Sequence, residues 1–514
     1  MTRPARTSVD TAPPPAAPRG RATRTLAIAV AVLVLVALAG VAAARPGGGD
    51  SFSGGGGHGG SGGGGGGGSG AVFELVYWLL RLIIHVPQVG IPLLVIVVGF
   101  LIYSAYKQHQ NKDWDSGPPV QLKRAVRADE VKRYDPEFSQ VLFEDFAFRL
   151  FSTAQRARGS PQTLDTVAPY VSAPARQHLW QRSPNTPVRS AVVGAMRVYR
   201  VEIPPAPVDP QGRPNRIRIG VEFEANVTTD QHTYYTVETW LFGRDATRLS
   251  KPPGSSKNFP CPNCGAPWQS AQTGTQKCAS CGEVVDNGRF DWIVEQISLA
   301  SSDERGPTLT KEVPERGTDL ATYRSSDVDQ RWMELERDDP AITEQNLVAR
   351  LNLIYSELNK AWASNDLRPV RGMVSDGLFD YLQYWIDAYK KQGMRNALED
   401  MRISHTIVAK VTRDKWYDAV TIRVWAKGKD YVVKGDKVVR GSKHRDRAYS
   451  EYWTLIRSSR AKRGAPLATP NCPSCGAPLK ITMSGECEYC QAHITAGEFD
   501  WVLSKIEQDD TYRG

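Results

Sequence analysis

Residues Cys472–Trp501 read CPSCGAPLKITMSGECEYCQAHITAGEFDW, and residues Cys261–Trp292 read CPNCGAPWQSAQTGTQKCASCGEVVDNGRFDW. Each stretch holds two Cys-x-x-Cys pairs, then a short polar run, then Gly-x-Phe-Asp-Trp. The first cysteines lie 211 residues apart and the tryptophans 209, so only the inner loop differs, by two residues. The chain is read as a module written twice, each copy closed by a cysteine clip.

The clips use all eight cysteines: Cys261, Cys264, Cys278 and Cys281 in the first, Cys472, Cys475, Cys487 and Cys490 in the second. Two closely spaced pairs per clip are thiolate–metal spacing, with disulfides and an iron–sulfur cluster as the competing readings. Four sulfurs suit a tetrahedral zinc ion, which gives two zinc ions per chain. With every position filled by protein there is no place for a reacting water, so the expected role is structural. Such an ion supplies about 10–16 kcal/mol in isolated fingers, enough to fold a ribbon that has no core of its own. Thiolates of this kind also point to a reducing compartment.

The chain has 514 residues, a soft prior for about three domains. Its net charge is +9, of which +5 falls in residues 1–130, so the remainder is close to neutral. That is a poor electrostatic footprint for nucleic acid. The clips add only Lys277, Arg289 and Lys480, with no aromatic stacking platform, so no nucleic-acid partner is expected.

Residues 1–44 combine arginines, an apolar run from Leu26 and an Ala-rich end, the pattern of a signal peptide or a first membrane segment. Residues 45–70 are a Gly-rich linker. Residues 71–107 hold an interfacial stretch and then Val89–Tyr106, an apolar run long enough for a transmembrane helix. Lys107, Lys112, Lys123, Arg124 and Arg127 follow it, which places the C-terminal side in the cytoplasm by the positive-inside rule. Residues 108–133 form a linker.

A first domain is expected over 134–300. Phe143, Phe146, Ala147, Leu150, Phe151 and Ala154 keep a helical period, and Ala173–Trp180 is a second helix. Strands follow at Ile217–Ala225 and Tyr234–Phe242. A polar linker covers 301–330, and a second domain over 331–510 repeats the plan. Its helices are expected around Leu347–Trp362 and Leu378–Tyr389, its strands at Met401–Thr412 and Val420–Trp425. Glu238-x-Trp240-x-x-x-Arg244 recurs as Glu451-x-Trp453-x-x-x-Arg457. These positions share one strand face, so a Glu–Arg pair beside the indole is expected as a structural feature. Helices first and antiparallel strands after make the fold class α+β.

The tract after Phe52-Ser53, the helix pair after each Asp-Pro, and Glu-x-Trp with the downstream Phe-Asp-Trp together resemble bacterial members of the Tim44-like family. That family is named for a mitochondrial inner-membrane import tether. The resemblance covers residues 45–300 once and 331–510 again. It implies tandem cone-like domains of the nuclear-transport-factor-two type, helices on a curved antiparallel sheet, with membrane association and a bacterial inner-membrane location. The chain departs from the tether in its two copies and its cysteine clips.

No His-x-Glu, Gly-x-Ser-x-Gly, Walker or His-Glu-x-x-His pattern occurs, and the eight histidines are scattered singly. The chain is therefore read as non-enzymatic, with no catalytic residue: a membrane-anchored scaffold that docks a protein partner or lipid headgroups. It would serve protein translocation or membrane-protein assembly. Two other readings stay open at this point, a small-molecule-binding or enzymatic cone interior and a nucleic-acid-binding ribbon.

Overall fold

The computed structural model describes Trp78, residues 81–82 and 84–110, Lys123, and residues 125–182, 185–252, 259–272, 275–304, 320–461, 471–482 and 485–509, with Tyr512 and Gly514. The expected signal segment (1–44) and Gly-rich linker (45–70) lie outside the described residues, as does the middle of the 301–330 linker.

The chain divides into two compact units. The first holds helix α1 (Pro87–Gln110) as far as Gln108, and Val95, Ile96 and Phe100 of this helix are exposed. Among the described residues no helix is long and apolar enough to cross a membrane. Side chains of α1 are described as far as Phe100, and beyond it only Ile102.

The second unit is mixed helix and antiparallel sheet. Its first half runs α2 (Gln140–Ala157), α3 (Ala173–Gln181), β1 (Val188–Glu202), β2 (Arg216–Thr229) and β3 (Thr233–Asp245). The small hairpin β4 (Ser270–Gln272) and β5 (Thr275–Cys278) and then β6 (Ile293–Glu304) complete it. The main sheet has the order β1-β2-β3-β6. The second half runs α4 (Val328–Asp338), α5 (Glu344–Ala363), α6 (Asp376–Lys391), β7 (Met394–Arg413), β8 (Tyr417–Lys434), β9 (Lys437–Gly441), β10 (Arg447–Ser458) and β11 (Val502–Gln508). Its sheet follows the same path, β7-β8-β10-β11, with β9 added beside β8.

Equivalent helices start in the same way. The Ser139 hydroxyl accepts the Leu142 amide at 3.2 Å, and Thr343 accepts the Asn346 amide at 3.1 Å. These are N-caps, each satisfying one of the amides that a helix start leaves unbonded. The buried stripe Phe143, Ala147, Leu150, Phe151 and Ala154 of α2 packs on Val221, Phe223 and Trp240 of the sheet. Leu347, Leu351, Ile354, Tyr355 and Leu358 of α5 meet Ile422, Val424 and Trp453 in the same way.

The structure alters several boundaries. Strand β1 was not expected. The 301–330 segment is not all linker, because β6 runs to Glu304 and α4 begins at Val328. Strands β7 and β8 extend to 20 and 18 residues, beyond the expected ranges.

Both halves belong to one unit and pack together. Val141 and Leu142 of α2 lie against Trp416, Tyr417, Ala419, Ile456 and Val502 of the second half. The Trp416 indole donates to the Glu137 carbonyl at 2.9 Å. On the other side, Val192, Tyr235 and Val237 join the apolar cluster of the second half.

Candidate metal centres and the cores they brace

In each clip the four cysteine sulfurs lie within 4.8 Å of one another. The Cys261–Cys281 and Cys472–Cys490 sulfurs are 3.8 Å apart, the Cys264–Cys278 and Cys475–Cys487 sulfurs 3.9 Å. Sulfurs bonded to one another stand about 2.05 Å apart. Four sulfurs about 2.3 Å from a central zinc at tetrahedral angles stand about 3.8 Å apart. The clips thus have the dimensions of a tetrathiolate site, and all eight cysteines are free. Each quartet can hold a metal ion, and the spacing is consistent with zinc.

Short backbone turns aim the sulfurs. The Cys261 amide bonds the Ala266 carbonyl and the Gly265 amide returns to the Cys261 carbonyl, both at 2.9 Å. The same pair of bonds recurs at Cys278 with Gly282, at Cys472 with Gly476 and at Cys487 with Gln491. All four closing residues have positive φ, between 59° and 74°. Glycine adopts that conformation without a Cβ penalty, and Gln491 is the one side chain made to do so. The Glu283 and Ala492 amides stabilise the thiolates of Cys281 and Cys490, holding each at about 7. Burial pushes Cys261 up to about 12.

Each clip is joined to its sheet through Phe-Asp-Trp. Phe290 packs inside the first ribbon and Phe499 inside the second. Two residues later, Trp292 and Trp501 are buried in the main cores. The intervening aspartates turn the chain, each accepting the amide of its own tryptophan, at 2.9 Å for Asp291 and 2.7 Å for Asp500. Phe, Asp and Trp therefore couple ribbon order to core order.

The second ribbon has a further attachment at the start of α6. Asp376 accepts the Thr495 hydroxyl at 2.8 Å and an Arg371 N–H at 2.5 Å, and lies 3.2 Å from His493 Nε2. Burial works against its charge, yet the His493 hydrogen bond and the Arg371 charge hold Asp376 at about 2.

The Glu-x-Trp-x-x-x-Arg strands do not pair Glu with Arg as the shared face suggested. Trp240 donates to Glu238 and Trp453 to Glu451, both at 3.0 Å. The arginines reach elsewhere: Arg244 to Asp135 at 2.6 Å, and Arg457 to Asp339 at 3.0 Å. These aspartates belong to the two Asp-Pro steps that open the helical segments. Two motifs read separately in the sequence thus meet as one ion pair in each half. Arg244 also lies 4.5 Å over the Trp292 ring, linking the pair to the Phe-Asp-Trp step.

Aromatic side chains pack inside both halves. Phe151 stacks on Phe223 at 4.3 Å between centroids, and both touch Trp240. In the second half Tyr355 packs on Trp453, and its hydroxyl meets that of Tyr449 at 2.8 Å.

Residues 329–466 match the family model of the Tim44-like domain. No curated protein matches the chain.

Proposed function

We propose that the chain is a membrane-anchored, non-enzymatic scaffold. Two cone-like domains, 134–300 and 331–510, each stiffened by a zinc ion on the cysteines named above, dock a protein partner or lipid headgroups at the cytoplasmic face of a bacterial inner membrane. The observation that carries this reading is the pair of closed four-sulfur clips bracing packed cores. Cores packed and clipped in this way are suited to presenting surface. The Tim44-like match over 329–466 supports the membrane-associated part of the reading. The sequence adds to it, although no described helix meets the length and apolarity of a span. Its apolar stretch carries no charge from Val89 to Tyr106, and lysines and arginines follow it.

The test is purification of the full chain from alkali-washed, detergent-solubilised membranes, beside a variant with Cys472 and Cys475 both changed to Ser. The wild type should resist extraction by alkali and bring down a partner in stoichiometric amount. The variant should stay in the membrane but lose that partner. A chain that washes off with alkali contradicts the anchor, and one that is recovered alone contradicts docking of a protein partner.

A further inference from the structure

At the C-terminal ends of α2 and α3, two arginines converge on one carboxylate. Arg158 and Arg182 are the residues that follow the two helices. Arg182 meets Glu238 at 2.8 Å, and Arg158 donates to Gln155 at 2.8 Å, whose amide in turn donates to Glu238 at 2.9 Å. Glu238 and Gln155 are fully buried, and Arg158 is 3% exposed. Two guanidinium groups thus face one carboxylate, a surplus of one positive charge in a place with little water.

The hydrogen bonding is equally incomplete. Arg158 Nε, Arg182 Nη1 and the Ser152 hydroxyl are buried without a hydrogen-bond partner among the described residues. The negative ends of the two helices, about half a charge each, offset part of the surplus but leave those donors unbonded. An unmet buried donor is costly, more so when charged. Burial and then the Arg182 charge push Arg158 down to about 10.

The second half resolves the same position differently. The N-caps Ser139 and Thr343 correspond 204 residues apart, and Ser172 and Ser375 correspond 203 apart. On these offsets Trp362 stands where Arg158 does and Trp385 where Arg182 does. The carboxylate is kept, since Phe223 pairs with Glu238 as Val424 pairs with Glu451. Both tryptophans are at most 2% exposed. By position along the helices, one half carries two indoles where the other carries two cations with spare donors.

We propose that Arg158 and Arg182 form a binding site for a small oxyanion, a carboxylate or a phosphate group, which supplies the missing charge and takes up the spare N–H groups. Guanidinium forks match the geometry of both oxyanions. Glu238 sets the two forks while competing for them.

The test is titration calorimetry on the full-length chain in neutral detergent at constant ionic strength. Inorganic phosphate, acetate and dihexanoyl phosphatidic acid are the probes, and the melting temperature is followed in parallel. Saturable binding of at least one probe is expected, weakened at least tenfold in Arg182→Gln and abolished in the Arg158→Trp/Arg182→Trp double variant. Response to inorganic phosphate or acetate identifies a soluble ligand, and response to the lipid alone identifies a headgroup. Glu238→Gln removes the competing charge, so its melting temperature should rise more steeply with the probe than that of the wild type. This readout stands even if an arginine variant misfolds. No saturable binding of any probe overturns the proposal, as does a Glu238→Gln protein whose melting temperature is indifferent to all of them.

Discussion

Asp135 and Asp339 hold the same post in the two halves, each opening a helical segment and each neutralising the arginine at the far end of a central strand. The first pair is almost entirely buried, with side chains 0% and 1% exposed, and Asp135 also accepts the Ser250 amide and hydroxyl. Breaking such a pair from one side strands a buried charge, at a cost of about 3–5 kcal/mol. Asp135→Asn should therefore lower urea stability by about that much. Asp339→Asn should cost clearly less, because its pair is 17% and 12% exposed. A second residue-scale test is Gln491. Replacing it with glycine removes a left-handed strain that the other three knuckles avoid, so the second ribbon should hold its metal as well or better. Gly476→Gln should weaken metal retention, read by competition with a chromogenic chelator. The glutamate, tryptophan and arginine of the strand motif were legible in sequence. The pairing was not, because Arg244 and Asp135 are 109 residues apart and nothing local connects them.

At the scale of elements, α2, α3, α5 and α6 were legible because their apolar residues keep a steady 3.6-residue period and Ser or Thr stands at their starts, whereas α4 was not, its Asp327 start making no side-chain cap. Strand β1 was not. Its pairing with β2 slips at Val188/Ser190, Val193/Ala195 and Val198/Arg200. Each bulge adds a residue and shifts the in–out alternation, so no simple period of two survives in VRSAVVGAMRVYRVE. Strand β7 slips three times against β8 in the same way, and only its C-terminal part was expected. The ribbons were legible because thiolate spacing is a local property. Their attachments were not, since the Asp376 latch joins α6 to residues more than a hundred positions away. Asp376 is held below its ordinary value, so its contribution is present above about pH 4 and is lost as pH falls through about 2. Asp376→Asn should melt below the wild type at neutral pH, and the gap should narrow as the buffer is taken from pH 4 towards pH 2.

For the whole molecule, the main departure from a reading of two linked domains is how much surface the halves share. The outer face of α2 gave a sign of this, since Val141 and Leu142 are apolar but lie off the stripe that meets its own sheet. A Glu144–Lys505 pair at 2.5 Å crosses the same boundary. Burial opposes the Glu144 charge, but Lys505 holds its carboxyl below the ordinary range. The sign is that of a depressed acid: the contribution is complete above the ordinary carboxylate range and fades as pH falls through the lowered value. Lys505 is 40% exposed, so solvent screens the pair. A Glu144→Gln/Lys505→Met double-mutant cycle in urea should give a coupling of about 0.5–1 kcal/mol at pH 7 that shrinks on acidification.

The tetrathiolate clips are the claim on which ribbon, core and scaffold all depend, and metal content tests it most directly. Full-length protein purified anaerobically without added metal should carry two zinc ions per chain by elemental analysis, together with eight thiols titratable after denaturation in chelator. Protein with no stoichiometric metal, or with sulfurs recovered as disulfides under those conditions, would contradict the account.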